Sequence, residues 1–325
     1  MRRRDALSFL AGAPLLAGTL AAPALRAAER TPLLDGWAPA REAPNAIIAF
    51  AEGGRVLRSE ARGAYAADQP VLLASLSKAI TGAAILALVA DGKLSPDATL
   101  GQVLEPIFRR LGRPKDPAWA AVTVAELARH EGGLHSLGTP DPLPPAAFGR
   151  LPRGAGIDAA LRLALDTPAG PRGRYTYSNL GYLLLGHVVE AVSGRPHDAF
   201  AADRLLRPLG VQGAVDPAWR AAGPFGGWRF TPAGYLRFLE IFRPGGPLPE
   251  RVLALADAEG FYSYGRFRDA ARGAWYHTGS WGPRTAFETV GDRAWFLAFD
   301  PAPGMPTERR RALRADLMER LRAAR

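Results

Sequence analysis

The sequence predicts an α/β (α+β) chain in which both ends build one sheet and a helical stretch interrupts it. Three observations carry that reading. Strand signals cluster around residues 45–58 and return between 274 and 299. They nearly vanish from Pro96 to Trp219, where helical pieces alternate with Pro- and Gly-rich loops. The final segment places Leu313, Leu317 and Leu321 at i, i+4 and i+8, which marks a helix with one face to bury. Residues 25–95 and 220–325 are thus expected to form the sheet domain, and 96–219 the helical insertion.

Taken in order, the first 24 residues read as an export signal. Arg2, Arg3 and Arg4 precede a short, weakly apolar stretch from Phe9 to Leu20, and Ala22-Pro23-Ala24 supplies small residues for cleavage. Paired arginines ahead of a Gly-bearing core are of the bacterial twin-arginine type, which implies a periplasmic or secreted product. No later segment is apolar enough to span a membrane. Asn45 to Phe50 reads as a strand, Glu52-Gly53-Gly54 as a turn and Arg55 to Arg58 as its partner. Leu76 to Ala90 is rich in Ala and Leu and ends on Asp91-Gly92, as a buried helix with a glycine stop would. Thr123 to Arg129 and Leu180 to Val192 are the clearest helices of the insertion. Four prolines within Thr139–Pro145 require an extended loop. Ala274 to Trp281 is one apolar run, and Thr285–Val290 and Arg293–Phe299 flank Gly291-Asp292 as a hairpin would.

Composition narrows the function classes. Of 325 residues, 48% are apolar and 22% charged, which suits a folded core. The absence of cysteine excludes a disulfide framework and a thiolate metal site. The net charge of +10 comes almost wholly from arginine, scattered among acidic residues. Arg309-Arg310-Arg311 reads as the solvated face of the last helix, so nucleic acid is not the expected partner.

Three short motifs carry chemistry. In Ser75-Leu76-Ser77-Lys78, a helix start at Ser75 would bring Lys78 beside it one turn later. A serine hydroxyl needs a proton acceptor before it attacks, and a buried lysine can supply one. The bland reading makes Ser75 a helix cap and Lys78 a surface charge. Only three lysines occur, however (Lys78, Lys93 and Lys115), in a chain that otherwise uses arginine. Tyr177-Ser178-Asn179 stands just before a helix: Tyr177 can share a proton with an ammonium, and Asn179 can orient Lys78 and a substrate carbonyl. The bland reading is a turn and a cap. His277-Thr278-Gly279 lies on a late strand, where a glycine would let a ligand approach the backbone and the N–H of Ser280 could complete an oxyanion hole. Its bland reading is a buried core histidine.

Ser-x-x-Lys, Tyr-Ser-Asn and His-Thr-Gly in this order resemble the penicillin-recognising serine hydrolases: class C β-lactamases, serine DD-peptidases and related esterases. VTVAELARHEGGL at 122–134 and YSNLGYLLLGHVVEAVSG from Tyr177 extend the likeness, which covers about residues 45 to 300. The resemblance implies the β-lactamase/transpeptidase-like fold, an antiparallel sheet flanked by N- and C-terminal helices with an inserted all-helical domain. It also implies an acyl-enzyme at Ser75, with Lys78 and Tyr177 moving protons and Asn179 holding the substrate amide. The N–H groups of Ser75 and Ser280 would form the oxyanion hole, and no cofactor or metal would be needed. Where class C β-lactamases usually carry Lys-Thr-Gly, this chain has His277-Thr278-Gly279, which is closer to DD-peptidases, D-amino-acid amidases and esterases. Arg284 is expected to receive a substrate carboxylate instead. The substrate would be a small molecule or a peptide. Two other readings compete: a non-catalytic penicillin-binding sensor, and a zinc enzyme built on His130, Glu131 and His135. The latter's i, i+5 spacing across Gly132-Gly133 does not match His-Glu-x-x-His.

Overall fold

A computed structural model describes residues 32–325 apart from 136–140, 142, 149, 153, 258–259 and 324–325. The export signal expected at 1–24, and Thr139, Pro140 and Pro142 of the proline-rich loop, lie outside the described residues.

Strand β1 (Asn45–Glu52) turns at Gly53-Gly54 into β2 (Arg55–Arg62), as expected. Short strands β3 (Val71–Leu72), β4 (Gly213–Val215) and β5 (Trp228–Phe230) follow. The chain then forms β6 (Tyr262–Ser263), β7 (Arg266–Asp269), β8 (Ala274–Gly279), β9 (Arg284–Val290) and β10 (Arg293–Asp300). Seven of these make one antiparallel sheet in the order β2-β1-β10-β9-β8-β7-β6. Strands from the two ends of the chain therefore meet at its middle, with Asn45 opposite Asp300. The expected β9–β10 hairpin is present, Val290 facing Arg293 across Gly291-Asp292.

Period-2 alternation assigns the two faces of the sheet. From β1 and β10, Ala46, Ile48, Phe50, Trp295, Leu297 and Phe299 pack against Leu313, Leu317 and Leu321 of the final helix, Thr307–Ala323. Each such leucine contributes roughly 1.5–3 kcal/mol by leaving water. Ile47, Ala49, Ala51, Phe296 and Ala298 point the other way, into the larger core shared with the helical elements. That core encloses the Ser77–Ala90 helix, of which every residue from Ser77 to Leu88 is buried. As its sequence promised, this helix stops at Asp91-Gly92: the Gly92 and Lys93 N–H groups return to the Val89 and Leu88 carbonyls.

The Tyr264-Gly265 turn between β6 and β7 rests directly on this helix. A Cβ at Gly265 would lie 2.3 Å from the Ala79 nitrogen, so only glycine permits the approach. The stretch read as wholly helical holds β4, which joins β3 and β5 in a separate three-stranded sheet. With two or three residues per strand, backbone pairing defines these pieces and no alternation could reveal them.

Candidate active site

The chain enters the Ser77–Ala90 helix through a 3-10 turn, Ala74–Leu76, which holds Ser75. Ala74 takes the left-handed conformation (φ 49°), uncommon for a residue with a side chain. The reversal buries Leu73, Ala74 and Leu76 and leaves Ser75 half-buried at the surface of the core. Strand β8 holds the turn from behind. A Cβ at Gly279 would fall 2.1 Å from Thr285 Oγ1 and 2.6 Å from the Leu73 carbonyl. The Thr285 hydroxyl donates to that same carbonyl at 2.8 Å. The glycine of His-Thr-Gly is therefore required by contact with the serine turn. Nor is Ser75 a cap, since no side chain caps either helical segment here.

Lys78 is fully buried one turn on. Its ammonium donates to Asn179 Oδ1 (2.7 Å) and the Phe225 carbonyl (3.2 Å), and Ser75 Oγ lies at 3.5 Å. The Tyr177 ring faces it, with Nζ 4.6 Å from the ring centroid. All four neighbours are uncharged. Burial in their midst pushes the lysine down to about 7, against a weaker opposing pull from Asp141. An amine so placed is about half free of its extra proton at neutrality and can accept one from Ser75.

Tyr177 and Asn179 arrive on the segment before the Asn179–Ser193 helix. Ser178 caps that helix by accepting from the Gly181 N–H, so the bland reading holds for the middle residue of Tyr-Ser-Asn. The two flanking side chains turn into the site. Asn179 accepts from Lys78 with its oxygen and donates to Asp141 Oδ2 at 2.6 Å, which fixes its amide orientation. The buried Tyr177 hydroxyl lies beside Ser75, which favours its ionised form, yet it makes no well-formed hydrogen bond. Burial dominates and raises its pKa, so the hydroxyl keeps its proton. The segment is braced by the turn after Val124–Ala128. Thr176 N–H donates to the His130 carbonyl, and Ser178 N–H to His130 Nδ1 at 3.1 Å.

His277 is buried and neutral. Burial, reinforced by Lys78, pushes it down to about 3, and Nε2 stands 3.3 Å from the Tyr262 hydroxyl. Thr278 lies on the opposite face of β8, and Ser280 follows the strand, exposed. Arg284 is not brought to the Ser75–Lys78 cluster. It shares its β9 face with Ala286 and Glu288, bonds the Ser280 carbonyl and lies beside Arg310 and Arg314. The zinc triad does not assemble either. His130 accepts from Ser178, Glu131 pairs with Arg129, and His135 Nδ1 meets the Tyr177 carbonyl at 2.7 Å. Ser75, Lys78, Tyr177, Asn179 and His277 thus converge. Asp141 and the Phe225 carbonyl join them without a signal in the sequence beyond their loops.

Among known proteins, a probable fimbrial assembly protein, FimD of Dichelobacter nodosus, is 30% identical over 177 residues, covering 51% of this chain and 43% of that protein. Penicillin-binding protein 4 of Amycolatopsis lactamdurans is 27% identical over 223 residues, 57% of this chain and 54% of its own. The matches thus span about half the length of these relatives. A D-stereospecific amidohydrolase from Streptomyces superposes with a TM-score of 0.70 at 19% identity, covering 86% of this chain and 94% of that one. This likeness carries the fold alone. The sequence model of the β-lactamase family matches residues 33–305, and the chain belongs to that family.

Proposed function

We propose that this chain is an exported serine hydrolase that forms an acyl-enzyme at Ser75 and cleaves amide or ester bonds of DD-peptidase type. The observation that carries the reading is Lys78: fully buried, held by neutral acceptors, lowered to about 7 and 3.5 Å from the Ser75 hydroxyl. As Ser75 Oγ bonds to a substrate carbonyl carbon, its proton passes to Lys78 Nζ. The carbonyl oxygen takes up negative charge, for which the Ser75 and Ser280 N–H groups are the candidate donors. Collapse breaks the bond to the leaving group, which receives a proton from the Tyr177 hydroxyl, and Lys78 restores it. Water then releases the acyl group by the reverse proton path. A tyrosine kept protonated by burial suits a relay or acid better than a standing phenolate base.

The neutral His277 supports peptides, D-amino-acid amides or esters over a potent β-lactamase, because it offers a substrate carboxylate no cation. Export rests on the first 24 residues alone.

Intact-mass spectrometry of the protein with benzylpenicillin, alongside assays of free drug, D-amino-acid amides and short-chain esters, tests the proposal. An adduct or turnover that Ser75→Ala reduces by at least about 10³-fold is expected. Undiminished turnover by that variant would sink the mechanism.

A further inference from the structure

We infer that Asp158, His187 and Glu190 bind one divalent transition-metal ion of the zinc class, away from the serine site. His187 and Glu190 stand one turn apart on the Asn179–Ser193 helix, and Asp158 comes from the neighbouring Ile157–Ala164 helix. His187 is completely buried, yet among the described residues neither ring nitrogen makes a well-formed hydrogen bond. The main chain at Ile157 lies beside the ring but makes no well-formed bond with it. A buried imidazole left unpaired at both nitrogens is costly, and native interiors rarely keep one without a compensating ligand.

The spacing points to that ligand. Nδ1 lies 3.8 Å from Asp158 Oδ1 and 3.8 Å from Glu190 Oε2. Those distances are too long for hydrogen bonds. They lie within a few tenths of an ångström of donors sharing a tetrahedral ion, since bonds of about 2.0–2.2 Å set neighbouring ligand atoms roughly 3.3–3.6 Å apart. All three donor atoms lie within 4.8 Å of one another. The outer partners are also in place. Arg110 forks onto Asp158, and the His197 N–H donates to Glu190 Oε1 at 3.1 Å, leaving Oε2 turned to the histidine. Such groups hold metal-binding carboxylates in position.

The two carboxylates converge on one buried imidazole, and a cation between them would bind all three. A cavity of about 320 Å³, lined by Asp158 and Glu190 with Gly156, His197, Asp198 and Arg220, gives an ion and its waters a way in. None of its lining residues belongs to the serine cluster. One imidazole with two carboxylates favours zinc or manganese over calcium or magnesium. His187 lies eight residues, about 12 Å, along the helix from Asn179. The ion would clamp the helix that presents Asn179 and take no part in acyl transfer.

Calorimetric titration of chelator-stripped protein with zinc chloride, together with thermal melts, tests the site. One saturable equivalent and a raised melting temperature are expected. Glu190→Gln, whose fold is checked by circular dichroism, should weaken binding by about 100-fold or more and abolish the thermal shift. His187→Ala should behave alike if it folds, but the Glu190 variant decides. Wild-type protein without a one-equivalent site overturns the inference. So does Glu190→Gln binding zinc like the wild type, which would put the ion on the histidines of the serine site.

Discussion

Replacing Lys78 by methionine separates what the lysine does for chemistry from what it costs the fold. Burial lowers the amine from 10.5 to about 7, so in the folded chain it binds fewer protons than in the unfolded chain across that interval. At about 1.36 kcal/mol per pKa unit, a lysine charged when unfolded and half-neutral when folded costs about 4 kcal/mol at pH 7. Methionine escapes that cost but leaves Asn179 Oδ1 and the Phe225 carbonyl without a donor, at about 1–2 kcal/mol each. The variant should therefore be at least as stable as wild type at pH 7, by up to about 2 kcal/mol or some 6 °C, while losing acylation. The sign then reverses. The penalty is full below about 7 and fades as pH rises toward 10.5, so wild-type stability relative to Lys78→Met should climb by about 1.4 kcal/mol per pH unit. Near pH 10 the variant should be the less stable protein. Urea denaturation of both proteins at pH 6, 8 and 9.5 reads the slope. A difference independent of pH would mean that the amine titrates alike in both states, and the desolvation argument would fail.

The same titration predicts that acylation of Ser75 rises with pH through about 7 and then levels, with no limb from His277 between pH 5 and 8, because burial pushes that histidine down to about 3. A falling rate from pH 6 to 8 would contradict it. Gly279→Ala should cost about 2–4 kcal/mol by denaturant unfolding, since its Cβ meets Thr285 Oγ1 at 2.1 Å and the Leu73 carbonyl at 2.6 Å. Stability equal to wild type would show that the serine turn can retreat. Asp141→Asn should lower kcat/KM about tenfold by weakening the anchor of the Asn179 amide, while the melting temperature changes little. Steady-state kinetics on the best amide or ester substrate decides it.

The parts legible in the sequence are those that local chemistry dictates. Gly53-Gly54 and Gly291-Asp292 announce their hairpins, and Leu313, Leu317 and Leu321 announce a buried face, because turn geometry and period are written within a few residues. Lys78 and Asn179 are legible because lysine and asparagine are scarce in this chain, and Ser75 and Tyr177 because they stand in short motifs with them. Strands β6 and β7 were not, being too short to show alternation. The packing reason for Gly279 is not legible, because what it touches, the Leu73 carbonyl, lies far away in sequence. For Arg284, nearness to a motif says less than strand parity: Thr285 pairs with Gly279 and faces the serine turn, so its neighbour faces away. Asp158 and His187 shared no pattern at all, since only the packing of two helices brings them together.

The pairing of β1 with β10 has a consequence in time. Asn45 donates to Asp300 across 255 positions of sequence, a separation that raises contact order and slows folding. Ribosomes add about 5–20 residues per second. The apolar run Ala46 to Ala51 therefore emerges roughly 10–50 s before the strand that covers its free edge exists. During that wait only β2 is available as a neighbour, and the larger core has no floor. A product shortened before Arg293 would leave that edge of β1 without its partner strand.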